Sequence, residues 1–323
     1  KSCKFTALFY KHMLFQQRLN PWSQLALLFG FCGVGIVLSS IITAIIGNVV
    51  LHVPLVTLAD ELMKPENVSV DRLLQVFTTF LVMALPAFLS TYAGGGNAMY
   101  RIGLRQRSGI MQLGIVVLMV FFGFMLGDAL SELNRIIPLS ADLEKTFKEM
   151  EDTYSNQVMA IASMKSFADY FTSLIVLAIL PAIFEEMLFR GSLQQIMIGI
   201  TRNAFLGIFI TSVVFSAIHL SYYGFLPRLA LGMMLGYIFY FSKNLWLSIT
   251  AHFIQNAYTL TILFLYSREG KNPTDAFEES FPWYYGIAGA VVVVSLFLIF
   301  KKESARKLAI EAPITQEDHG ELV

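Results

Sequence analysis

Six polar residues lie in stretches that otherwise read as hydrocarbon: Glu185, Glu186 and Arg190 in PAIFEEMLFRG, His219 in FSAIHL, and His252 with Asn256 in AHFIQN. Each charge placed in a bilayer costs roughly 2.5–3.5 kcal/mol on insertion scales, so ionisable groups kept there point to a use. On a helix, Arg190 stands four residues after Glu186 and shares its face, which suits an ion pair. Glu185 points about 100° away from that pair. Burial disfavours an ionised carboxylate, and a carboxylate tuned in this way can take a proton from water as a general base. His252 and Asn256 are also four apart and share a face. A lone histidine in a membrane often only bridges two helices. Two histidines, an acid and an amide together are more than helix bridging explains and point to a functional site. His12, His52 and His319 lie in tails or at a span end, where an ordinary surface role suffices.

The composition requires a membrane setting for these groups. Of 323 residues, 56% are hydrophobic and only 14% charged, against about a quarter charged in soluble domains. Net charge is zero, which gives no electrostatic argument for nucleic acid. The two cysteines, Cys3 and Cys32, form neither a disulfide framework nor a thiolate zinc site. No lipoprotein or secretory signal precedes Cys3, and a start at Lys1 without Met suggests a trimmed N-terminus.

A span takes about 20 helical residues, and backbone in lipid must satisfy its own hydrogen bonds. The chain therefore reads as all-α and polytopic, with about eight spans near 24–50, 73–93, 109–129, 168–188, 204–222, 226–242, 245–266 and 284–300. The fourth is expected to run on as helix to about residue 200. AGGGN at 93–97 lacks the Lys-Ser/Thr of a phosphate loop and reads as a turn. Lys1, Lys4, Lys11, Arg18, Arg101, Arg105, Arg107, Arg202, Lys243, Lys301, Lys302, Arg306 and Lys307 then fall on one side. Asp60, Glu61, Glu66, Asp71, the acidic run Asp142 to Asp152, Asp275, Glu278 and Glu279 fall on the other. The positive-inside rule puts both termini in the cytoplasm.

Between spans three and four, Pro138 and Ser140 mark a helix start. Leu143, Phe147, Met150, Tyr154, Val158 and Ile161 follow at steps of three and four. This predicts an amphipathic, non-cytoplasmic helix acting as a structural cap, or alternatively as a lid or partner-docking surface. The chain thus divides into 1–129 (spans one to three), 130–167 (the insert), 168–266 (a core of four spans) and 267–323 (the last span and a disordered polar tail after Lys302).

The ordered motifs EExxxR (Glu185, Glu186, Arg190), FxxxH (Phe215, His219) and HxxxN (His252, Asn256) resemble those of the CPBP or Abi family of intramembrane proteases, which includes the Ras-converting type of CAAX prenyl endopeptidase. The resemblance covers about 168–266. It implies an endopeptidase, of the kind found in bacterial inner membranes, acting on a membrane-associated peptide or protein. Glu185 would activate water, His219 would orient it, and His252 and Asn256 would stabilise the oxyanion. Glu186, Arg190 and Phe215 would support the site. No cofactor is favoured: HExxH is absent, and zinc, the alternative, would need Glu185, His219 and His252. The rival reading is a non-catalytic membrane scaffold, immunity protein or partner-binding protein that keeps the family fold. Inverted repeats of a transporter are not evident.

Overall fold

The structure is a computed structural model that describes residues 19–62, 64–95, 97–161, 164, 166–271 and 282–317. The N-terminal cations through Arg18, Cys3, His12, His319 and the acidic group Asp275, Glu278 and Glu279 lie outside them, as do the side chains of Tyr154, Val158 and Ile161. Every longer regular element among the described residues is a helix: α1 Pro21–Val50, α2 Leu55–Leu62, α3 Val68–Ala93, α4 Ala98–Ile102, α5 Ile110–Arg135, α6 Ala141–Ile161, α7 Phe167–Thr201, α8 Ala204–Ala217, α9 Phe225–Ser242, α10 Leu245–Arg268 and α11 Trp283–Glu317.

The protein is an integral membrane protein. Among the described residues, α1, α3, α5, α7, α9 and α11 are long and apolar enough to cross a bilayer. The burial pattern shows the same thing. α1 buries Gln24, Gly35, Ser39 and Gly47 while exposing Phe29, Val34, Val37, Ile41 and Ile45. A soluble helix does the reverse; here small and polar residues mediate packing and apolar ones face lipid. The other two expected spans are also helices. α8 has only 14 residues, and the 24-residue α10 is interrupted by His252, Gln255, Asn256 and Thr259.

The chain folds as two compact units, Lys1–Arg105 with Ile183–Thr211, and Gln106–Ala182 with Ser212–Val323. In the first, α1 packs along α3 and the end of α7. In the second, α11 lies along α5 over its greatest length. Gly286 makes that approach close, since a Cβ there would stand 2.1 Å from Ala129 Cβ. The second unit's core joins Val116, Met119 and Val120 to Leu235, Ile238, Leu247, Ala251 and Phe300.

Three features differ from the sequence reading. First, α11 continues to Glu317, where the sequence predicts a disordered tail after Lys302. Ser304 is buried there and accepts from Gln112 Nε2 at 2.9 Å, and Arg306 pairs with Glu303. Second, α8 ends at Ala217, so His219 sits in a turn and not within a span. Leu220, with φ 52°, takes the left-handed backbone that ends a helix. Third, α7 is one helix from Phe167 to Thr201, but wide π-turns interrupt it at Leu174–Ile179 and Phe189–Leu193.

The insert is helical where the pattern places it. Ser140 Oγ accepts from the Leu143 N–H at 3.4 Å. Phe147 stacks on Tyr222 with centroids 4.5 Å apart and planes 4° apart, and Ser221 Oγ donates to Glu151 Oε2 at 2.8 Å. α6 is thereby docked on the turn that follows His219.

Candidate active site

The residues singled out from the sequence fall in both units. In the first, α7 carries Glu185, Glu186 and Arg190. Arg190 Nη1 donates to Glu186 Oε1 at 2.5 Å, and both side chains are essentially inaccessible, at 1% and 0% exposure. The i, i+4 spacing on an α-turn produces this contact. At such burial each charge depends on the other, because an uncompensated ion in the interior is costly. Glu185, half-buried, is the neighbour one residue back.

The turn beyond Arg190 is the wide one. The Gln194 N–H reaches Phe189 O, five residues back. Gly191 lets α4 come close: a Cβ there would be 2.7 Å from Ile102 Cγ2. Ser192 Oγ lies 3.2 Å from Ser90 Oγ, and Gln195 Nε2 donates to Arg101 O at 2.9 Å and Gly191 O at 2.6 Å. The sequence reading does not reach these residues; the small pair Gly191–Ser192 directly after the motif is the signal that could have found them.

In the second unit, Phe215 organises the histidines. Its ring meets His219 edge-on at 5.1 Å and His252 at 5.7 Å, so one buried phenyl serves both imidazoles. His219 Nδ1 is 2.8 Å from Phe215 O. A carbonyl only accepts, so Nδ1 holds the proton and Nε2 of the neutral ring is the basic nitrogen. His252 is buried at 3% exposure on α10. Asn256 is half-buried one turn further along the same helix.

The turn bearing His219 is fastened on several sides. Ser216 Oγ donates to Phe225 O at 2.7 Å, Asn134 Nδ2 donates to Tyr222 O at 2.9 Å, and Asn134 Oδ1 accepts from the Leu226 N–H at 3.2 Å. With the α6 contacts at Ser221 and Tyr222, these bonds fix the segment between α8 and α9. Asn134 gives no periodic signal in the sequence, being one polar residue at the end of a span.

Comparison with known proteins bears on the same stretch. Residues 167–258 match the family model described as type II CAAX prenyl endopeptidase Rce1-like. That segment contains all seven residues, from Glu185 to Asn256. The chain is also 34% identical over 104 residues to "Uncharacterized protein YpbD" of Bacillus subtilis (strain 168), covering 31% of this chain and 50% of that protein. The chain thus spans half the length of that relative. No solved structure matches.

Proposed function

We infer, since residues 167–258 match the type II CAAX prenyl endopeptidase Rce1-like family, that the protein is an intramembrane endopeptidase of the CPBP type cutting a membrane-associated peptide or protein. The observation that carries this reading is that the matched segment holds the complete set of acid, histidines and amide in family order. In this reading the Glu185 carboxylate takes one proton from a water molecule. The water oxygen adds to the scissile carbonyl carbon, and the C–N bond breaks as the amine leaves with the proton from Glu185. His219 contributes orientation. With Nδ1–H held by Phe215 O, its Nε2 can accept a hydrogen bond from the attacking water and fix its lone pair. His252 and Asn256 donate to the oxygen as it gains charge, the usual service of an oxyanion site. The Glu186–Arg190 pair holds the α7 turn that carries Glu185.

The test is a comparison of membrane-associated peptides in cells carrying the wild-type chain or Glu185→Gln. At least one peptide should persist in an uncut, longer form in the variant. Identical profiles would favour the scaffold reading.

Metal dependence gives a second test. The reaction above needs no metal ion. Were zinc the agent, Glu185, His219 and His252 would hold it, and it would supply Lewis acidity; the Nδ1–H bond of His219 to a backbone carbonyl is compatible with ligation through Nε2. Purified protein is expected to hold well under one zinc per chain and to keep its activity after chelator dialysis. Stoichiometric zinc, with activity lost on its removal and regained on its return, would recast the histidines as ligands.

We also place both termini and the loop around Arg105 in the cytoplasm, with α6 outside, from the distribution of Lys and Arg. Both Arg105 and Lys145 are exposed. In a background without Cys3 and Cys32, an impermeant maleimide applied from outside should modify Lys145→Cys and spare Arg105→Cys. The opposite pattern would invert the orientation.

A further inference from the structure

The turn that carries His219 can be placed in depth, because its bonds tie it to one end of α5. Asn134 stands in the last turn of that helix. It donates to Tyr222 O at 2.9 Å and accepts from the Leu226 N–H at 3.2 Å. Ser216 Oγ donates to Phe225 O at 2.7 Å, so both ends of segment 216–222 are held near the level of Asn134.

That level is an edge of the bilayer. Glu132 and Arg135, in the same final turn of α5, pair with each other with side chains 42% and 47% exposed, as charges do where water begins. α11 packs antiparallel on α5: a Cβ on Gly286 would meet Ala129, and one on Gly289 would meet Phe122 O and Met125. Trp283, three residues before Gly286, therefore stands about 4.5 Å further out, near Glu132. Trp283, Tyr284 and Tyr285 are all exposed, and such an aromatic group marks the junction of acyl chains and headgroups. α6 docks on the same turn through Phe147 and Glu151 and exposes Asp142, Glu144, Lys145, Lys148 and Glu149, a face made for water.

His219 is three residues from Ser216 and three from Tyr222. Fully extended, three residues reach about 10 Å, and turn bonds from the His219 and Leu220 N–H groups shorten the path. The midplane lies about 15 Å from either edge of the hydrocarbon. His219 is therefore nearer the edge that bears α6. Its neighbours Ile218 and Leu220 are exposed and apolar, so an apolar segment can approach it from the lipid.

We propose that the substrate is a membrane protein or peptide cut in its juxtamembrane stretch, on the side of the bilayer that bears α6. The bond lies within about seven residues of the end of the substrate's apolar span, the number that about 10 Å of depth holds at a helical rise. A bond at the middle of a span would not meet His219. This rests on the reading of His219 as the group that orients the attacking water.

The experiment has two arms. The first needs no activity. In a background without Cys3 and Cys32, Ile218→Cys is labelled with bimane and placed in phosphatidylcholine vesicles carrying a nitroxide on the headgroup or at the acyl-chain end. The headgroup nitroxide should quench it more strongly, whereas Phe121→Cys, exposed near the middle of α5, should show the reverse. Stronger quenching of position 218 by the chain-end nitroxide would overturn the placement. Should Ile218→Cys fail to fold, Leu220→Cys gives the same reading. The second arm maps the ends of the peptides that differ between wild-type cells and those with Glu185→Gln. Cut bonds should fall within about seven residues of a span end, on the side where Lys145→Cys is labelled. Cuts at mid-span or on the opposite side would overturn the proposal. An unchanged peptide profile would overturn it together with the endopeptidase reading, and headgroup quenching at 218 would then locate the failure in the chemistry and not in the depth.

Discussion

Glu186→Gln is expected to yield little folded protein, with a loss of about 3–5 kcal/mol, the usual cost of removing one partner from a buried ion pair. The reason is the burial of Arg190: at 1% exposure its guanidinium has no route to water, and Glu186 Oε1 at 2.5 Å is its carboxylate partner. The variant keeps the shape and loses the charge, so the effect isolates electrostatics from packing. Thermal unfolding in detergent and the yield of monodisperse protein are the readouts. A companion change tests the cause. Adding Arg190→Met to Glu186→Gln removes the stranded cation and should recover part of the loss, because a buried ion pair replaced whole by apolar groups is often tolerated. An unchanged Tm in Glu186→Gln would show that the pair carries no stability.

Glu185→Gln should have the opposite profile: normal yield and a Tm close to wild type, with cleavage reduced by about 10²–10⁴-fold, the usual contribution of a general base. The two residues are adjacent and chemically identical, yet helix geometry gives them different work. Glu186 is fully buried against Arg190, whereas Glu185 is half-buried. The loss should appear in kcat with KM little changed, since the carboxylate acts on water and not on the bound peptide. Wild-type cleavage in Glu185→Gln would sink the proposed mechanism. A loss of both cleavage and folding would move Glu185 into the same structural class as its neighbour.

Much of this arrangement can be read from the chain, for identifiable reasons. Long apolar runs specify spans because lipid leaves the backbone no other partner, and α1, α3, α5 and α7 lie where those runs lie. Spacing of three and four specifies faces, which is why Glu186 and Arg190 meet and why Phe147 of the insert packs on Tyr222. What cannot be read depends on contacts distant in sequence or on backbone detail. FSAIHLSYYG has neither glycine nor proline before Gly224, so nothing local announces that α8 stops at Ala217. The turn is held by Asn134 and Glu151, 88 and 70 residues away from their partners. The charged stretch after Lys302 resembles a tail because polarity suggests disorder. Its residues are good helix formers, and Ser304 finds Gln112 across 192 residues. In the sequence Arg101 is one more cation marking orientation, and its anchorage to Thr91 and Gly95 is visible only in three dimensions.

The wide turn at Phe189–Leu193 also has a meaning in terms of chain length. In a regular helix each backbone N–H reaches back four residues, and here Gln194 reaches back five, to Phe189. The helix therefore holds one residue more than its rise requires at that point. A chain shorter by a single residue within 189–193 could close to an ordinary turn, leaving Gln194 and all that follows in nearly the same rotational phase. A deletion one or two turns earlier or later would rotate the downstream side chains by about 100°. The wide turn contains Arg190 of the Glu186–Arg190 pair, so with Leu174–Ile179 it is one of two places in α7 where the polypeptide can change length with little disturbance to the helix beyond it.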